Sequence, residues 1–395
     1  LTSSASWWLT IARRVGSIAA LVLYTAFIGE VYFRLVDPQA LMPRYVTGTP
    51  FGVRGNIPNA RYWNHTPEVD VEYRINGQGL RADRDYPHQK PPGTCRVAVF
   101  GDSFFFGIEL DVTQTFESQL ERRLNEAGYR AEVLNFAVGG FGTAEMLQDL
   151  DGFGRQFQPD AVIFSWDDSD LLDNVRSGLY RLHDGHLERA SAQYLPGVKT
   201  SDWLMQHAWY RLIADHSELY SFARDKIEFL VKRHQRRANK DSMAPAEGSG
   251  TGATAPPATP APKDTDTEAA DDAAANARAN ELQRRRNAEL ASALLLRAND
   301  VAHSMGADFY LVEIPWKVSR TEFTPSLDVL SDAVRADVKL VHTAAALSRA
   351  ARPDRELYFE TGQGHLTPVG ESILVAETFK QLQSSPQMAG CRVTP

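Results

Sequence analysis

Two residues in this chain have the types and surroundings that acyl-transfer chemistry needs. Ser103 lies in VAVFGDSFFFG (97–107), where an apolar run ends in Gly-Asp-Ser. His365 lies in YFETGQGHLTPVGE (358–371). An imidazole that takes the Ser103 proton would let the hydroxyl attack a carbonyl, with backbone amides binding the oxyanion. Gly-Asp-Ser also occurs by chance, so a turn serine without chemistry and a loop histidine that merely packs are the plain alternatives. Asp167, Asp168, Asp170 and Asp173 crowd together, but their spacing is not that of a Ca²⁺ loop, and a solvated acidic turn is expected. His183 and His186, in HDGH, read as an exposed turn between strands. Cys95 and Cys391 match no zinc spacing and no Cys-x-x-Cys motif, so neither a metal nor a cofactor is expected.

The elements that must carry these residues alternate between strand and helix. CRVAVFGDS (95–103) reads as a buried strand running into a turn, and TFESQLERRLNEAG (115–128) as an amphipathic helix ending at Gly128. Strands at 131–138, 160–167 and 307–315 follow, with a helix over 143–157 between the first two. This alternation implies a parallel sheet covered on both faces. Such a sheet puts Ser103 at its carboxyl edge, where open α/β folds bind ligands, with the positive end of the next helix facing it. Residues 36–94 are a lead-in segment, with a candidate strand at 69–77. The domain over 95–395 is interrupted by a helical insertion at 176–242 and an Ala/Pro-rich linker at 243–272. The linker has almost no bulky apolar residue, so it is expected to be disordered, with a helix from about 273 to 305 leading back to the sheet.

In these blocks the chain resembles the SGNH/GDSL hydrolase family, over 76–175 and 305–382. Gly101, Asp102, Ser103 and Gly107 match the first block of that family. NFAVGGFGT (135–143) matches the second, with Gly140 as an oxyanion donor beside the Ser103 amide. NGQGLRADRDYP (76–87) looks like the segment that precedes the first block in membrane-anchored members. The resemblance implies a flavodoxin-like three-layer α/β/α sandwich. It also implies an acylated substrate, small or of carbohydrate type, outside the cytoplasm. Two positions depart from the pattern. In the third block Ser169-Asp170 stands where Asn-Asp is usual, leaving Ser169 as a shorter oxyanion donor. In the fourth, Gly362 and Gln363 hold the positions of the Asp that orients the histidine. Gln363, Glu360 or a main-chain carbonyl would then have to orient His365, the last leaving a Ser-His dyad. In this architecture Cys95 opens the first strand, at the edge opposite the site. Cys391 follows a helix over about 370–384 that runs back to that edge, so the two are a disulfide candidate.

The remaining signals concern location. Val15–Gly29 carries no charge and its apolar character resumes over Val31–Phe33, about 19 residues in all, near the length needed to span a bilayer. Arg13 and Arg14 precede it and Trp7 and Trp8 supply interfacial aromatics, so the expectation is one transmembrane helix with a cytoplasmic N-terminus. The domain would then be periplasmic or extracellular. No small-x-small cleavage site follows the apolar stretch. The net charge of −8 is spread along the chain and excludes a nucleic-acid footprint. Two functions fit: a membrane-anchored serine esterase or O-acyltransferase, or a catalytically impaired domain serving as a structural subunit beside other membrane proteins.

Overall fold

All six residues of Cys95–Phe100 (β1) are buried, and their side chains divide between two cores. Val97 and Val99 point into one, Ala98 and Phe100 into the other. A strand apolar on both faces must be covered on both. In the computed structural model, which describes residues 3–39, 41, 45–66, 68–227, 230–231, 265–360 and 364–393, it is. β1 is flanked by Ala131–Asn135 (β2) and Ala161–Trp166 (β3), followed outward by Asp308–Glu313 (β4) and Lys339–Val341 (β5). Every pairing is parallel and the order is 2-1-3-4-5, the flavodoxin-like arrangement. Helices Phe116–Glu126 (α3) and Pro368–Gln383 (α9) cover one face through Leu120, Leu124, Leu374 and Leu382. Thr143–Gly152 (α4) and Thr265–Ser304 (α8) cover the other through Leu147, Leu150, Leu294 and Leu295.

Several sequence expectations change. The edge strand β5 was not foreseen: it has three residues and one is exposed, so no apolar run announces it. The 143–157 helix breaks at Gly152, and 154–157 form a separate 3₁₀ turn. Helix α8 starts at Thr265, inside the segment read as disordered linker, while 243–264 lies outside the described residues. TEAADDAAANARAN lacks bulky apolar residues but is rich in alanine, which favours helix without needing a core. His183 and His186 flank the turn of the hairpin Tyr180–His183/His186–Arg189.

Ser3–Leu35 forms one helix (α1), of which Ile11–Leu35 is long and apolar enough to cross a membrane and is exposed along most of its length. Cys95 and Cys391 form a disulfide with Cα atoms 5.5 Å apart. Arg130 N–H donates to Cys391 O beside it, at 2.8 Å. The lead-in contributes two short hairpins, Val46–Gly48/Arg54–Asn56 and Arg61–His65/Asp70–Arg74, and then the buried Arg81.

Candidate active site

The strand-to-turn junction fixes Ser103. Gly101 passes so close to β3 that a Cβ there would lie 2.6 Å from Ser165 Oγ and 2.7 Å from Phe105 Cβ. Asp102 caps the next helix, its Oδ1 accepting the Phe104 N–H at 2.9 Å. That helix, Ser103–Phe106 (α2), is a single turn that ends at Gly107 in the left-handed region, φ 75°. So short a helix adds little dipole at Ser103, contrary to the sequence expectation. Ser103 therefore sits at the carboxyl edge of the sheet where β1 meets β3, the topological switch point of this strand order.

His365 arrives from the far end of the chain. Phe359 N–H donates to His365 O at 2.9 Å, and Thr367 N–H to Leu357 O at 3.0 Å, so the chain folds back on itself on either side of the ring. His365 Nε2 lies 2.8 Å from Ser103 Oγ. The edge of Phe104 covers the imidazole, with ring centroids 4.9 Å apart. On the other side Nδ1 meets a carboxylate, Glu109 Oε2, at 3.3 Å, and the same oxygen accepts the His365 backbone N–H at 3.3 Å. With its Nδ1 proton donated to Glu109, the ring presents the Nε2 lone pair to the serine hydroxyl. A separation of 3.3 Å is at the long end of such contacts.

Glu109 is thus the acid behind the histidine, and sequence reasoning missed it. It is 1% exposed and adopts φ 73°, which few residues other than glycine take up. Arg81 holds this loop. Its guanidinium donates to the carbonyls of Phe106, Gly107 and Leu110, and stacks 4.7 Å from both the Tyr73 and Phe106 rings. Burial pulls the Arg81 pKa below its ordinary value. The lead-in segment therefore braces the loop that carries both Ser103 and Glu109.

The expected orienters do not occupy that place. Glu360 is exposed and ion-paired, 3.0 Å from Lys317 and 3.4 Å from Arg320. The Lys317 hydrogen bond holds its carboxyl below the ordinary range. Gln363 and Gly362 lie outside the described residues. The signal that would have found Glu109 was the missing fourth-block charge itself. It called for a search of every carboxylate near the carboxyl edge of the sheet, and Glu109 is six residues beyond the serine.

Gly140 is the third residue of the turn Val138–Phe141, with φ 77°, a position that asks for glycine. Its carbonyl is pinned by Arg54 Nη2 at 2.9 Å and Arg176 Nη2 at 2.8 Å. Among the described residues neither the Gly140 nor the Ser103 backbone N–H has an acceptor, which leaves both for a ligand oxygen. Ser169 differs from expectation. It is exposed, and its backbone N–H donates to Asp167 within the tight turn that closes Asp170 N–H onto Asp167 O at 3.2 Å. It stands at the N-cap of Asp170–Ser177 (α5) but makes no side-chain cap bond.

The aspartates here are less solvated than their spacing suggested. Asp170 and Asp173 are buried; Asp173 pairs with Arg176 at 2.7 Å and Asp168 with Arg284 at 3.0 Å. Burial, with Asp167 alongside, pushes Asp102 and Asp170 well above the carboxylate range. No group of three or more His, Cys, Asp or Glu among the described residues is arranged to hold a metal. A groove lined by Trp63, Val71, Glu72, Arg74, Asp111 and Phe359 runs past Glu109.

No family model matches the chain, and no curated protein does. Among solved structures the chain is similar to TesA, at 14% identity over 73% of this chain and 98% of that one, TM-score 0.34. It is similar to the lipase/acylhydrolase from Enterococcus faecalis at 12% identity, covering 73% and 95% of the two chains, TM-score 0.35. A member of the lipolytic protein G-D-S-L family from Veillonella parvula is similar at 8% identity over 74% and 100%, TM-score 0.35.

Proposed function

We propose that this chain is a membrane-anchored serine esterase or O-acyltransferase of SGNH type, working through a Ser103–His365–Glu109 relay. The observation that carries the reading is the continuous line of contacts from Ser103 Oγ to His365 Nε2 and from Nδ1 to Glu109 Oε2. His365 takes the serine proton as Oγ attacks the acyl carbonyl, and the carboxylate stabilises the imidazolium that forms. The Ser103 and Gly140 amides receive the oxyanion. His365 then returns the proton to the leaving alcohol. Water, or an acceptor hydroxyl, releases the acyl group by the same steps in reverse.

A structural-subunit role drew its support from the missing block-four acid and the missing block-three Asn; Glu109 answers the first, and the second still favours that role. The substrate is an acyl ester on a hydroxyl-rich, carbohydrate-type carrier. That substrate class follows from the resemblance of the Ser103 and His365 blocks; the groove beside Glu109 includes neither residue in its lining and does not bear on it. Arg13 and Arg14 before the apolar helix favour an N-terminus inside the cell, and a buried disulfide suits an oxidising compartment. A fluorophosphonate probe tests the chemistry on the full chain in detergent. The probe should label the native protein and lose its target in Ser103→Ala; absence of labelling between about pH 6 and 9, where the imidazole can act as base, overturns the reading.

A further inference from the structure

The helical insertion carries apolar surface that the fold does not use. On Ala208–His216 (α7), Trp209, Leu212 and Ile213 fall at i, i+3 and i+4 and are 56%, 64% and 42% exposed. No residue of that helix is buried. Trp203 on Val198–Met205 (α6) is exposed as well. In the helical stretch that follows, Ile227, Leu230 and Val231 repeat the same spacing, all exposed. One exposed leucine needs no explanation, but apolar stripes on consecutive helices do.

What lies against these helices is the end of α1. Glu30 accepts the Ser217 hydroxyl at 2.7 Å and the backbone N–H groups of Leu219 and Glu218 at 3.1 and 3.2 Å, capping the helix that begins at 218. Arg34 bridges Glu30 to the last residue of α7, donating to His216 O at 2.6 Å. Leu219 packs on Gly29, and Phe33 and Phe222 lie with ring centroids 4.6 Å apart. The insertion is thus fastened to the last two turns of the one helix among the described residues that is long and apolar enough to cross a membrane. A helix cut away as a signal sequence would leave the N–H groups of Glu218 and Leu219 without this cap.

We infer that α6, α7 and the helix from 218 lie in the headgroup layer of the bilayer that α1 crosses, seating the catalytic domain on the lipid surface. The inference rests on α1 being a retained membrane span. The composition of the insertion fits the occupant. Trp203 and Trp209, with Tyr210 and Tyr220, are amphipathic rings of the kind enriched at membrane interfaces. The same helices carry Lys199, Arg211, Arg224 and Lys226 against Asp202, Asp215, Glu218 and Asp225, a mixed polar rim without net charge of the kind a headgroup layer accommodates. The apolar stripes would then enter the acyl boundary, with the charged side chains at its rim.

The test uses the full chain in nanodiscs of phosphatidylcholine and phosphatidylglycerol, its native cysteines being paired. Nitroxide labels are placed singly through Leu212→Cys and Ile227→Cys, with Leu21→Cys on the anchor and Trp316→Cys on the domain as references. All four positions are exposed, so labelling should leave the fold intact. Collisions with oxygen report lipid and collisions with a water-soluble nickel chelate report solvent. The expected result is an oxygen-to-nickel ratio at Leu212 and Ile227 several-fold above that at Trp316, approaching Leu21. If Leu21 is in lipid while Leu212 and Ile227 match Trp316, the platform is refuted and the anchor stands. If Leu212 and Ile227 are shielded from both reagents, a protein partner covers the face and the platform is equally refuted. If Leu21 itself reports water, the anchor reading falls and takes the platform with it.

Discussion

Replacing Glu109 by glutamine removes one charge and little else, which makes Glu109→Gln the sharpest test of the relay. Its Oε2 lies 3.3 Å from His365 Nδ1, and the two residues are 1% and 7% exposed. At an effective dielectric near 20, an imidazolium and a carboxylate at that separation attract by about 5 kcal/mol. Lost entirely from the transition state, that would slow the reaction by between three and four powers of ten. Glutamine retains an oxygen that accepts the Nδ1 proton, so part of the stabilisation survives and kcat should fall by about 10² to 10³. KM should hardly move, because the imidazolium exists only once the serine proton has been taken. The assay is hydrolysis of p-nitrophenyl acetate by the full chain in detergent, with near-UV circular dichroism to verify the fold. Glu360→Gln, at the exposed ion pair, should match the native enzyme. A folded Glu109→Gln protein with kcat within about threefold of native would show that the charge behind His365 plays no part in the reaction.

Three further predictions follow from other parts of the fold. Arg81→Lys cannot bridge the carbonyls of Phe106, Gly107 and Leu110 together, and should cost about 2–4 kcal/mol in urea unfolding; an unchanged midpoint would count against the brace. Burial pushes Asp149 up to about 8, so the folded chain holds a proton that the unfolded chain releases above about pH 4. This group's contribution therefore loses stability as pH rises between those values, and Asp149→Asn should flatten the fall of Tm over that window in calorimetry; an equal slope refutes the assignment. Cys391→Ala should lower stability by about 2–4 kcal/mol. Fluorophosphonate labelling of the folded fraction should not change, since the bridge lies at the sheet edge opposite Ser103; a native unfolding midpoint in reductant would refute its structural role.

Local pattern was enough for a large part of this molecule. The buried runs that became β1 to β4, the glycine before Ser103, the motif around His365 and the apolar length of α1 are all short-range features, each set by neighbours a few residues away. Strand β5 escaped because three residues at a sheet edge carry no period, and the start of α8 because alanine-rich sequence can be helical without an apolar face. The acid of the site was settled only by tertiary contact. Glu109 and His365 are 256 positions apart, and Glu109 reaches the ring from a backbone conformation that no residue in IELD announces. Ser169 also needed the tertiary structure, because the aspartate turn after β3 takes its backbone N–H. The sequence singled out Ser103 and His365 as candidates; the packing of Arg81 beneath the loop decided which carboxylate stands beside the histidine.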